Sequence, residues 1–87
     1  MEFLMDKNLT LQAKAIYAYL LQEADGKKEF QMKSNEVRQE LGIGDYQYHS
    51  HLRKLIDYGY IRLELTRDDK KRYNGYKCTI LGGNNNG

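Results

Sequence analysis

The stretch Leu41-Gly42-Ile43-Gly44-Asp45 constrains this chain more than any other, because it forces a tight turn between two amphipathic runs. Upstream, Ser34 is placed to cap a helix over Asn35 to Leu41, with Val37 and Leu41 four apart on its buried face. Gly42 ends that helix in the left-handed conformation other residues avoid, and Ile43 turns inward. Asp45 then suits the N-terminus of a further helix that runs to about Tyr58. Its inner stripe is Tyr48, Leu52, Leu55 and Ile56, and Gly59 closes it.

The flanks complete the pattern. Ala13, Ile16, Tyr17, Leu20 and Leu21 recur at helical spacing between Thr10 and Asp25. Thr10 or Asn8 caps the start, and Asp25-Gly26 ends it. Glu29-Phe30-Gln31-Met32 alternates as a short strand. Tyr60 to Thr66 alternates with Ile61, Leu63 and Leu65 on one face, and Tyr76 to Leu81 alternates again. Between them lies a charged hairpin loop, 67–75, ending in Asn74-Gly75 turn chemistry. The order is helix, strand, helix, turn, helix, strand, loop, strand. It predicts an α+β winged helix-turn-helix: three helices plus a small antiparallel sheet with one wing. The domain is expected over 1–81, with the Gly/Asn-rich 82–87 as a disordered linker or tail.

Composition narrows the class of function. Eighty-seven residues leave room for one domain and little material for a deep catalytic cleft, so an enzyme is not expected. No apolar run approaches the roughly 20 residues of a membrane span. The lone Cys78 has no partner for an internal disulfide, which suits a reducing cytoplasm. Net charge is only +2, but it is unevenly spread. Residues 1–44 carry six Lys/Arg against seven Asp/Glu, and residues 45–87 carry eight against five. The basic half is the one with the turn's second helix and the hairpin.

Four segments also resemble a known family. The run from Leu9 to Leu21 is similar to the first helix of winged-helix domains at the N-termini of replication initiator and replisome-organiser proteins of phages and plasmids of Gram-positive bacteria. Glu36 to Gly44 resembles that family's second helix and turn, His51 to Ile61 the end of its recognition helix and its first wing strand, and Thr66 to Tyr76 its wing. The resemblance spans roughly Met5 to Leu81 and is shared by bacterial transcription regulators. It departs at Arg38 and Tyr48, where smaller residues are usual; Arg38 is accommodated by snorkelling and Tyr48 with its hydroxyl at the core edge. It implies a DNA-binding domain of a mobile-element replication or regulatory protein.

Helix-turn-helix geometry turns the outward positions of the third helix into candidate groove contacts: Tyr46, Gln47, His49, Ser50 and Arg53. Gln47 suits adenine, Arg53 guanine or phosphate, and Tyr46 and Ser50 phosphate. The wing adds Arg67, Lys70, Lys71 and Arg72 as backbone contacts, and Arg62 and Lys77 extend the same surface. The plain alternative is a solvated helix face and a loop whose cations pair with Asp68 and Asp69.

Other constellations lead nowhere. His49 and His51 project about 200° apart on a helix and cannot share a metal. No Gly-rich phosphate loop is present, and no cofactor is expected. The expected partners are double-stranded DNA, a second copy of the chain and replication proteins, with no membrane. A homodimer is expected through Phe3, Leu4, Leu9, Leu11 and Tyr19. Of the remaining tyrosines, Tyr58, Tyr60, Tyr73 and Tyr76 are expected partly exposed. The rival reading is a winged helix that binds protein and binds DNA weakly or not at all; a third is a single-strand binder that stacks bases on Tyr73 and Tyr76.

Overall fold

A computed structural model of the protein describes residues 2–67, 69–71 and 73–83. A short 3-10 turn, Glu2–Met5, precedes α1 (Leu11–Ala24), β1 (Glu29–Met32), α2 (Ser34–Leu41), α3 (Asp45–Asp57), β2 (Ile61–Arg67) and β3 (Tyr73–Ile80). The strands form one antiparallel sheet in the order β1-β3-β2. Three helices with a three-stranded antiparallel sheet, α2 and α3 joined by a tight turn and β2–β3 forming the hairpin, make this an α+β winged helix.

Local chemistry explains the boundaries. The Thr10 hydroxyl accepts a hydrogen bond from Ala13 N–H at 3.0 Å, the N-cap interaction, and shares a second of 2.8 Å with His51 Nδ1. One side chain thereby starts α1 and ties it to α3. Gly42 adopts φ +66° and its N–H bonds back to α2 carbonyls, which turns the chain into α3 as expected.

The helices bury Ala13, Ile16, Tyr17 and Leu20 from α1, Val37 from α2, and Tyr48, Leu52 and Leu55 from α3. Met32, Ile61 and Cys78 meet them from the sheet. Tyr48 is wholly buried, and its hydroxyl donates to Ser34 Oγ at 3.1 Å. Burial pushes the Tyr48 phenol above its ordinary value, with the Ser34 hydrogen bond partly opposing.

Several expectations are corrected. Ser34 is the first residue of α2 and makes no cap; its hydroxyl is engaged by Tyr48, and Lys33 occupies the cap position. Ile56 is 38% exposed: Leu55 beside it takes the inward position, and Ile56 lines the open groove between α3 and the sheet. Tyr60 is buried: its ring stands edge-on to Tyr17 at 5.1 Å and its hydroxyl donates to Asp6 at 2.5 Å. Asn74-Gly75 is not the hairpin turn but part of β3, since pairing continues to Arg67↔Tyr73 past a register shift between Leu65 and Arg67. Leu65 keeps its place on the inner sheet face, paired with Tyr76, yet is 56% exposed.

The ends of the chain are also engaged. Phe3 packs edge-on against Tyr17 at 4.8 Å, and Phe3 and Leu9 both lie in the domain's own core, while Leu4 and Leu11 are exposed. Gly82 and Gly83 N–H groups bond to the carbonyls of Tyr60 and Gly59 at 3.3 and 3.0 Å, so ordered backbone pairing continues past residue 81. The rest of the expected tail, 84–87, lies outside the described residues.

Candidate nucleic-acid interface

The 3.6-residue period places Tyr46, His49, Ser50 and Arg53 on one face of α3. That face is one wall of an open groove of about 670 Å³. The sheet supplies the other wall through Leu63 and Tyr76, and Ile56 and Ser34 contribute to its lining. Tyr46 is 85% exposed at the start of the helix. Gln47 is exposed on the adjoining face, outside the groove.

The electrostatics of this face are balanced. Asp45 Oδ1 lies 3.3 Å from His49 Nε2 and 3.7 Å from Arg38 Nε, so the first carboxylate of α3 engages a neighbour on each side. Arg38 reaches it from the last turn of α2, and its partly covered stem is the snorkelling expected for a long cation. Arg53 Nε donates to Asp57 at 3.3 Å, one turn further along. The candidate cation of α3 is thus held by a carboxylate, although its side chain remains largely exposed.

The wing continues from the sheet wall. Arg67 ends β2, and Lys70 and Lys71 are exposed on the connection to β3. Arg72 lies outside the described residues, as does Asp68, one of its expected pairing partners. Arg62 and Lys77 do not extend this surface. They lie on the opposite, outer face of the sheet, where Arg62 pairs with Glu64 at 3.6 Å and Lys77 with both Glu29 and Glu64 at 3.6 Å.

Two features escaped sequence reasoning. The apolar part of the groove lining, Ile56, Leu63 and Tyr76, needs tertiary structure to appear, because its members come from three elements. The Arg38–Asp45–His49 cluster had a signal, the short spacing across the turn, but Arg38 reads as a core-edge residue. Among the described residues, no group of three or more His, Cys, Asp or Glu side chains is arranged to hold a metal, and no helix is long and apolar enough to cross a membrane. The buried Cys78 thiol is pushed up to about 12 by desolvation. Compared with known proteins, the chain matches no family model, and no curated protein or solved structure is significantly similar to it.

Proposed function

We propose that this winged helix binds duplex DNA, with α3 directed to the major groove and the wing to the phosphate backbone, within a replication-initiation or regulatory protein of a mobile element. The observation that carries the reading is the juxtaposition of the exposed α3 face with the hairpin. Tyr46, His49, Ser50 and Arg53 form one wall of an open groove, and the opposite wall runs into the strand that delivers Arg67, Lys70 and Lys71. Helix and hairpin on either side of one concave surface suit a helix-turn-helix module that reads base edges with one element and anchors with the other. The mobile-element context rests on the family resemblance of the sequence alone. A single module contacts a short half-site, so specificity calls for a second copy of the chain or a tandem domain.

Fluorescence anisotropy with labelled duplexes tests this. Affinity falls steeply with added salt, and Lys70→Ala with Lys71→Ala weakens all duplexes alike while reducing the salt slope by about 2. Absence of binding to any duplex at low salt by folded protein rejects the reading.

A second reading has its own observation. Asp45 and Asp57 offset the cations of α3, and Ile56 and Leu65 are exposed beside Leu63 and Tyr76. A neutral helix face beside exposed apolar residues also suits a protein partner, such as another replication protein or a second copy of this chain. Binding of the folded domain to such a partner without any duplex affinity distinguishes it.

A further inference from the structure

Gln31 belongs neither to the helix-turn-helix nor to the wing, yet its side chain reaches the wing's base. Its Nε2 donates to Thr66 Oγ1 at 2.9 Å, from the edge strand β1 to β2 on the far side of β3. Adjacent strands lie about 4.8 Å apart, so this contact crosses roughly two strand spacings. It is possible only where nothing stands on β3 between the two. Gly75 occupies that place at φ +122°, and a Cβ there would lie 2.9 Å from Gln31 Nε2 and 2.7 Å from the Met32 carbonyl oxygen. Thr66 in turn donates to the Gly75 carbonyl at 3.2 Å.

This strap sits where the hairpin changes register. Leu65 pairs with Tyr76, but Arg67 pairs with Tyr73, so β2 and β3 slip past one another at Thr66. Such a bulge bends the strands and re-aims the segment beyond it. In this chain that segment is the wing, with Arg67, Lys70 and Lys71.

We infer that Gln31 is a positioning residue for the wing, acting through Thr66 across the gap left by Gly75. It holds the hairpin beyond the bulge at one attitude to α3, so that the wing cations meet backbone phosphates without first being ordered. The inference rests on the duplex-DNA reading, and it adds a recognition determinant on an element outside the DNA-facing surface. A positioned hairpin saves the ordering cost a loose one incurs on binding.

The test uses the intact chain with Gln31→Ala, Thr66→Val and the hydroxyl-retaining Thr66→Ser. Backbone amide NMR relaxation of the free protein reports wing order at Lys70 and Lys71. Order parameters there fall below about 0.6 in Gln31→Ala and Thr66→Val and stay near wild type in Thr66→Ser. Duplex affinity falls about threefold to tenfold in the first two variants and recovers in the third. In the Gln31→Ala background, Lys70→Ala with Lys71→Ala costs less than in wild type, a coupling that general destabilisation does not produce. Unchanged wing order in Gln31→Ala, or strictly additive losses, overturns the inference. Failure of wild type to bind any duplex overturns instead the reading beneath it, and the relaxation of the free protein still decides whether the strap holds the wing.

Discussion

On the proposed duplex-DNA reading, Asp45→Asn separates the stability of this domain from DNA affinity, because the two move in opposite directions. Asp45 begins α3, where a carboxylate opposes the positive end of the helix dipole, and its Oδ1 contacts both Arg38 and His49. The dipole interaction contributes about 0.3–1 kcal/mol. The side chain is 73% exposed and that of Arg38 28%, so the ion pair adds only a few tenths more, about 0.3 kcal/mol. The variant therefore loses about 1 kcal/mol, a fall of about 4–8 °C in Tm for a domain of this size. In the proposed complex the same carboxylate repels phosphate. Two like charges about 7 Å apart in water repel by about 0.6 kcal/mol, or roughly threefold in affinity. At 0.1 M salt, screening over about 10 Å reduces this by roughly half. Arg38, released from Asp45, becomes available to a phosphate and steepens the salt slope by about 1. Thermal unfolding and anisotropy titrations at two salt concentrations measure both effects. Weaker or unchanged DNA binding, with the stability loss as expected, refutes the placement of the α3 N-terminus against DNA.

The interior sets four further outcomes. Asp6 is held below the ordinary carboxylate range, chiefly by the Tyr60 hydroxyl and next by Asn8 N–H, so its contribution is complete above that range and lost as pH falls through the lowered value. Tyr60→Phe consequently loses about 1 kcal/mol at neutral pH, and urea titrations show it converging on wild type in acid. Tyr60 itself is raised to about 12 by burial and Asp6, so wild-type stability also declines as pH climbs from about 10 toward that value. Thr79→Val gains about 1 kcal/mol in chemical denaturation, because the buried Thr79 hydroxyl has no hydrogen-bond partner among the described residues. Cys78, wholly buried and with its thiolate strongly disfavoured, resists alkylation at neutral pH until the protein unfolds, as mass spectrometry with and without urea shows.

The parts of this fold legible in the sequence are those set by local chemistry. Thr10 caps α1, Gly42 takes the left-handed turn, and the stripes of α1 and α3 bury most of their expected large members, Leu21 only partly and Ile56 least. The illegible parts depend on distant partners. Tyr60 reads as the start of an exposed strand, but Tyr17 and Asp6, remote in sequence, draw it inward. Asn74-Gly75 carries the strongest short hairpin signal, yet Gly75 serves to let Gln31 cross the sheet. Ser34 has the chemistry of a cap and is diverted by Tyr48. For the candidate site, helical spacing identified the α3 face, whereas charge alone misplaced Arg62 and Lys77, whose carboxylate partners lie across the outer sheet. The neutralising roles of Asp45 and Asp57 likewise emerge only with side-chain geometry.

Chemical-shift mapping during titration with a short duplex tests the proposed function most directly, because it locates contact without altering the protein. Backbone amides of Tyr46, Gln47, Ser50, Arg53, Lys70 and Lys71 are expected to shift together with a common binding curve, while exposed residues of α1 such as Leu11 and Ala18 stay still. Shifts confined to α1, or none at low salt in a folded sample, would contradict it.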